Sequence, residues 1–281
     1  MKLRYFGTSA AEGIPALFCT CPVCERARRA GGRNIRTRSQ ALVDGRLLID
    51  FPADTYMHAL LHGLDLPSVT ALLVTHGHND HLHVPDFELR KPVFAHVGDQ
   101  DTPLPSPLRV FASGGTRRAI EAQDRYSLEK YGVIELTTVR PFEPFALDGC
   151  TVTGLKADHA AELEPLIYLI ERDGKALLYA HDTGWFPDET WDYLAAARPM
   201  LGFVSLDCTG VLMGGYRRGH MCIDVNLEAR DRLRALGCAD EGTLFCHHHF
   251  SHNGGLIHDE HVPLAAQEGF LVSYDGMEVE F

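Results

Sequence analysis

Apolar residues in this chain fall in short runs separated by turn-forming pairs, a pattern that predicts many short strands. Lys2-Leu3-Arg4-Tyr5-Phe6-Gly7 opens the chain as a strand. Ser39 to Val43 and Arg46 to Asp50 flank Asp44-Gly45, a pair that favours a tight hairpin. Val69 to Thr75 is almost continuously apolar and suits a strand covered on both faces. Cys150 to Leu155, Leu166 to Glu171 and Ala176 to Ala180 follow, the last two joined by Asp173-Gly174. Leu201 to Leu206 and Thr243 to Cys246 are further strands, and Phe270 to Tyr274 with Met277 to Phe281 reads as a closing hairpin across Asp275-Gly276. Helical spacing appears over Ala53 to Leu64, Thr116 to Tyr131, Asp188 to Ala197 and Asp224 to Leu236. The last sets Val225, Leu227, Leu233 and Leu236 among charged residues, as on a surface helix. Strands and helices mixed throughout predict an α/β domain layered on sheets. Gly98 to Pro107 holds three prolines and reads as an exposed loop, with a lid and a solvated insertion equally open.

The 281 residues suffice for one large domain, and we expect residues 1–281 to form one. A hydrophobic fraction of 45% and a charged fraction of 23% exclude a disordered or fibrous chain. Lysine and arginine number 26 against 38 acidic residues, a formal charge of −12. That balance weighs against nucleic acid as a partner, although a metal site can still attract a small anion. The chain opens without an apolar leader and lacks a membrane-length apolar run, so a cytoplasmic protein with no membrane association is expected. Its eight cysteines are then expected as reduced thiols, some of them metal ligands.

The 16 histidines are clustered, and the clusters carry the chemistry. Thr75-His76-Gly77-His78-Asn79-Asp80-His81 sets four candidate ligands within six residues, directly after an apolar strand. In an extended segment His76, His78 and Asp80 would face one side, with a turn at Asp80-His81 swinging His81 round to join them. Imidazole and carboxylate together suit zinc, iron or manganese. Further histidines and aspartates follow later strands, in Ala157-Asp158-His159, His181-Asp182-Thr183-Gly184 and His247-His248-His249. Cys19-Thr20-Cys21-Pro22-Val23-Cys24 is a second, thiolate-rich cluster that needs one more ligand for a tetrahedral zinc.

His-x-His-x-Asp-His, together with the order of the later motifs, resembles the metallo-β-lactamase superfamily over essentially the whole chain. The resemblance implies a four-layer αββα sandwich with a binuclear metal site at one sheet edge. By it, His76, His78 and His159 hold one divalent metal, while Asp80, His81 and a late histidine hold the other, with Asp182 bridging. Asp50 matches a position that orients the site without ligating. The Cys-x-Cys-x-x-Cys, the late His249-Phe250-Ser251-His252 and the ending Tyr274-Asp275-Gly276-Met277 are similar to the cyclic phosphate phosphodiesterases of the carbon–phosphorus lyase pathway. Their pattern implies that Cys19, Cys21, Cys24 and His252 hold a structural zinc in a loop at about 19–24. It also implies that His249 joins the catalytic pair of zinc or manganese ions, with His247 its main rival within the triple histidine.

Two metals a few ångström apart lower the pKa of a water toward about 7, providing a hydroxide for in-line attack on phosphorus. The leaving alkoxide then needs a proton, and the resemblance points to His220, between the strand ending near Asp207 and the next helix. Asp80 is expected to be essential as a ligand. Arg217 and Arg218 are candidates for a second phosphate. The resulting expectation is a hydrolase of small, including cyclic, phosphodiesters. A lactonase, a thioesterase, a transfer-RNA processing nuclease and a non-catalytic carrier akin to the pyrroloquinoline quinone biosynthesis protein are the alternatives. The substrate's identity, and the choice between monomer and homodimer, are left open.

Overall fold

The computed structural model describes residues 1–96, 106–125 and 128–281. Most of the Gly98 to Pro107 loop therefore lies outside the described residues. Two seven-stranded sheets form the centre. The first contains β1 (Lys2–Gly7), β2 (Gln40–Val43), β3 (Leu47–Ile49), β4 (Ala71–Leu73), β5 (Leu108–Ala112) and β6 (Ile134–Thr138). The second contains β7 (Phe145–Leu147), β8 (Cys150–Lys156), β9 (Leu166–Arg172), β10 (Lys175–Ala180), β11 (Leu201–Asp207), β12 (Leu244–His248) and β13 (Phe270–Val272). The last strand, β14 (Glu278–Glu280), crosses back to pair antiparallel with β1 at the edge of the first sheet. Helices α1 (Pro22–Ala30), α2 (Thr55–His62), α3 (Gly114–Gln123), α4 (Asp188–Ala197), α5 (Ile223–Ala235) and α6 (His258–Gln267) cover the outer faces.

Period-two alternation sorts side chains between the layers. In β9, Leu166, Tyr168 and Ile170 face the first sheet and pack with Leu3, Val43 and Ile49. Ile167 and Leu169 face the other way, toward Trp191 and Leu194 of α4 and Val225 and Leu233 of α5. In the first sheet, Leu48, Leu72 and Val110 point outward to Ile120 of α3 and Phe87. The order is helices, sheet, sheet, helices, the αββα sandwich expected.

The two predicted Asp-Gly hairpins form. Asp44 and Gly45 have φ of 49° and 74°, and Asp173 and Gly174 have 52° and 74°, the doubly left-handed turn that matches strand twist. The closing hairpin does not form. β13 pairs in parallel with β12, and Asp275-Gly276 hands the chain to the other sheet, where the Gly276 amide donates to Tyr5 O at 2.9 Å. Helix α3 starts earlier than expected because Ser113 Oγ caps it by accepting from the Thr116 amide, and it ends at Gln123.

β3, β4 and β5 run parallel in the first sheet, as do β10, β11 and β12 in the second. Their carboxyl ends converge on one edge, where loops are free to carry ligands. No helix among the described residues is long and apolar enough to cross a membrane.

Candidate metal centre

Every catalytic candidate from the sequence reaches that edge. His76 follows β4, His159 follows β8, Asp182 follows β10 and His249 follows β12. Asp50, Asp182 and His249 are non-glycine residues at φ of 64°, 45° and 61°. Such backbone costs of order 1 kcal/mol or more for a non-glycine residue, least for aspartate.

The segment after β4 is not extended. The amides of His81 and Leu82 both donate to His78 O, at 3.0 and 2.9 Å, so the turn begins at His78. This separates the ligands differently from the alternating pattern expected. His76, His78, His159 and Asp182 form one set, and Asp80, His81, Asp182 and His249 form the other. Asp80 therefore sides with His81, not with His76 and His78.

In the first set, His76 Nε2 lies 2.9 Å from His78 Nδ1, and His159 Nε2 lies 3.3 Å from the same atom. Asp182 Oδ2 is 3.2 Å from His76 Nε2 and 2.9 Å from His81 Nε2, so it touches both sets. His81 Nε2 is also 3.2 Å from His249 Nε2 and 3.3 Å from Asp80 Oδ2. Nitrogens about 2.0–2.1 Å from one tetrahedral zinc sit roughly 3.3 Å apart, so these spacings fit shared cations. The chemistry fits as well. Asp182 Oδ1 is buried with His249 Nδ1 3.1 Å and His220 Nδ1 3.3 Å away but no aligned hydrogen bond, an acceptor that a cation would satisfy.

Burial holds His76, His78 and His159 below the ordinary imidazole pKa, leaving neutral rings with lone pairs to give. Burial alone would raise Asp182, but the charges of His249 and His81 outweigh it and keep the carboxyl ionised. Burial would also lower His81, but Asp80, Asp50 and Asp182 around it raise it well above the ordinary range. Asp50 Oδ2 meets His81 Nδ1 at 2.7 Å, and its other oxygen accepts from the Thr75 amide at 2.8 Å. Asp50 thus orients His81 from behind and joins neither set.

Of the triple histidine, His249 alone enters the centre. His247 Nδ1 pairs with His261 at 3.1 Å, close to Cys208, and His248 lies between Ser39 and Ser273 at 2.8 Å each. Strand alternation turns His248 toward the other sheet, and β12 ends there, freeing His249.

His220 stands on the same cavity wall as His159 and His249. Burial alone would lower its imidazole, but the charge and hydrogen bond of Asp207 outweigh it and raise the pKa to about 9. Asp207, the last residue of β11, was not expected from sequence as a functional residue. Its signal is the one shared by Asp50 and Asp182, an aspartate closing a buried strand. Gly184 keeps this wall together, since a Cβ there would lie 2.4 Å from Arg217 O and 2.5 Å from Asp158 Oδ2. Arg217 and Arg218 each pair with a carboxylate at the surface. Arg217 pairs with both oxygens of Glu228 at 2.7 Å, and Arg218 meets Asp158 at 3.0 Å.

The thiolate cluster assembles apart from these sets. Cys19, Cys21 and Cys24 gather with His252, whose Nδ1 is 3.3 Å from Cys21 Sγ and 3.6 Å from Cys19 Sγ. All eight cysteines are free. Cys21 caps α1, and the Cys24 amide donating to its sulfur lowers its pKa to about 6. Three thiols and one imidazole fit a closed tetrahedral zinc.

Residues 46–249 match the profile of the beta-lactamase superfamily domain. Ribonuclease Z of Mycobacterium bovis is 24% identical over 261 residues, covering 88% of this chain and 89% of that protein. Among solved structures, a diphosphatase of the PhnP family superposes with a TM-score of 0.73 at 23% identity, covering 100% of this chain and 97% of its own. Zinc-bound PqqB from Methylobacterium extorquens superposes with a TM-score of 0.76 at 20% identity, covering all of both chains.

Proposed function

The chain belongs to the beta-lactamase superfamily of metal-dependent hydrolases, and from that membership we propose that it is a binuclear phosphodiesterase acting on small, including cyclic, phosphodiesters. The observation that carries the reading is Asp182, whose carboxylate touches both histidine sets while His220 faces the same cavity. His76, His78, His159 and Asp182 would hold one zinc or manganese ion, and Asp80, His81, Asp182 and His249 the other. Such ions supply Lewis acidity toward phosphoryl oxygens and acidify water.

The remaining work falls to side chains of this chain. Asp207 holds Nδ1 of His220, which leaves Nε2 to donate a proton to the oxygen of the departing alcohol. The backbone oxygen of Gly219 lies 3.1 Å from His159 Nδ1 and fixes that ring with Nε2 inward. Cys19, Cys21, Cys24 and His252 would hold a zinc that braces the loop before α1. Two of the similar proteins are named as a diphosphatase and a ribonuclease, which supports phosphorus as the atom attacked. The formal charge of −12 favours a small diester over a polynucleotide.

The test is elemental analysis combined with turnover. Purified protein should carry two nitrogen- and oxygen-bound ions plus one thiolate-bound ion per chain. It should hydrolyse bis(p-nitrophenyl) phosphate, with activity lost to a chelator and restored by added zinc or manganese. A fully loaded protein without turnover would instead be a metal-binding carrier.

A further inference from the structure

One acidic side chain of the catalytic cavity belongs to neither ligand set and plays no part in proton donation. Glu12 shares a cavity of about 340 Å³ with His78, Asp80, His220 and His249. Its place is set by the backbone: the Ala10 amide donates to Phe250 O at 2.9 Å, and the Phe250 amide donates to Thr8 O at 3.0 Å. These bonds tie the segment leaving β1 to the residues just after His249. Ser251 Oγ donates to Glu12 Oε1, and His252 Nε2 lies 3.7 Å from the same oxygen. Among the described residues no lysine or arginine pairs with Glu12.

A carboxylate is a poor wall for a cavity that must admit a phosphodiester anion, because like charges repel there. It contributes only if it meets a hydrogen-bond donor on another part of the substrate. The side chains beside it on the wall, Ser251, Asn253 and Tyr216, are uncharged hydrogen-bonding groups. A lone ammonium group needs only one oxygen of a carboxylate, and the cavity's other acids, Asp80 and Asp182, are taken up by the ligand sets. Two adjacent hydroxyls, by contrast, match the two oxygens of one carboxylate.

We propose that Glu12, with Asn253 and Tyr216, forms a subsite for vicinal hydroxyls on the alcohol portion of the phosphodiester. The inference rests on the phosphodiesterase reading and narrows its substrate class. His252 Nδ1 faces the sulfurs, while its Nε2 lies 3.7 Å from Glu12, beyond hydrogen-bond distance.

The experiment compares p-nitrophenyl glyceryl phosphate with p-nitrophenyl propyl phosphate, two diesters that share a leaving group and differ in their hydroxyls. The wild-type protein should prefer the glyceryl ester. Glu12→Ala should lose roughly 10- to 100-fold more kcat/KM on the glyceryl ester than on the propyl ester, the range expected for a hydrogen bond to a charged group. Glu12→Gln, which keeps an acceptor, should recover part of the preference. Calorimetric binding of glycerol phosphate against propyl phosphate gives the same comparison without turnover, and metal content reports on folding. Equal losses on both esters, or equal binding of both phosphates by the wild-type protein, would overturn the subsite. If neither diester turns over but glycerol phosphate still binds more tightly through Glu12, the phosphodiesterase reading fails and the subsite stands.

Discussion

Asp207 Oδ2 lies 3.0 Å from His220 Nδ1, which also stands 3.3 Å from Asp182 Oδ1. Asp207 is itself anchored, its other oxygen accepting from the amides of Thr209 and Met221 at 3.0 Å each. The ring is therefore held in place by a buried, anchored carboxylate, as the proton-donor role proposed for His220 requires.

His220→Ala should reduce kcat by about 10²–10⁴-fold on a diester with an alkyl leaving group, the usual contribution of general acid catalysis. The loss should shrink for p-nitrophenolate, which departs without a proton. Metal content should match the wild-type protein. Equal losses on the two substrates, or a missing metal, would show that His220 is a ligand or a bystander.

The pH profile gives a second handle on the same pair. His220 is active while protonated, so the rate should fall as pH rises through its pKa, held up by Asp207. Asp207→Asn removes the charge that raises it. The alkaline limb of log kcat should then move to lower pH, and an unmoved limb would assign that limb to another group.

Cys21→Ala should remove close to one metal ion per chain and lower thermal stability, because a structural zinc contributes to folding. The same change deletes the sulfur cap of α1, which lowers stability even without metal. Zinc analysis separates the two effects. Full metal content in this variant would contradict a structural zinc held by the Cys19–Cys24 loop.

Acid should destabilise the fold through histidines buried in neutral form. Burial lowers His58 to about 4 and His261 to about 3, against an ordinary value near 6.5. An unfolded chain takes up these protons below about pH 6.5, whereas the folded chain refuses them until about pH 3–4. Stability is therefore full above about pH 6.5 and declines as pH falls through that window. The urea midpoint should drop between pH 7 and pH 5, and His58→Gln should make the drop smaller. An unchanged slope in that variant would show that His58 is already protonated in the folded protein.

Much of the centre is legible because its ligands follow a simple rule, a histidine or aspartate just past a buried strand. His76, His78, Asp80 and His81 are contiguous, and His159 and Asp182 each sit after an apolar run. His249 is not separable from His247 by composition, and only the end of β12 distinguishes them. Strands β5 and β6 escape sequence reading because their flanks carry no hairpin pair, their partners being parallel and distant. Helix α1 hides inside the cysteine motif, where Pro22 and the Cys21 cap are its start signals. Helix α6 hides behind Pro263 in its interior. Asp275-Gly276 misleads because a turn pair specifies a local bend and not which sheet receives the next strand.

The most direct measurement of the central claim is a comparison of kcat/KM for the metal-loaded protein on bis(p-nitrophenyl) phosphate, an aryl lactone and a p-nitrophenyl thioester. The paired ligand sets with His220 opposite predict that the phosphodiester is preferred by about 100-fold or more. They also predict that Asp182→Ala abolishes its turnover together with the nitrogen- and oxygen-bound metals. Faster hydrolysis of the lactone or thioester, or diester turnover that survives in Asp182→Ala, would contradict the assignment.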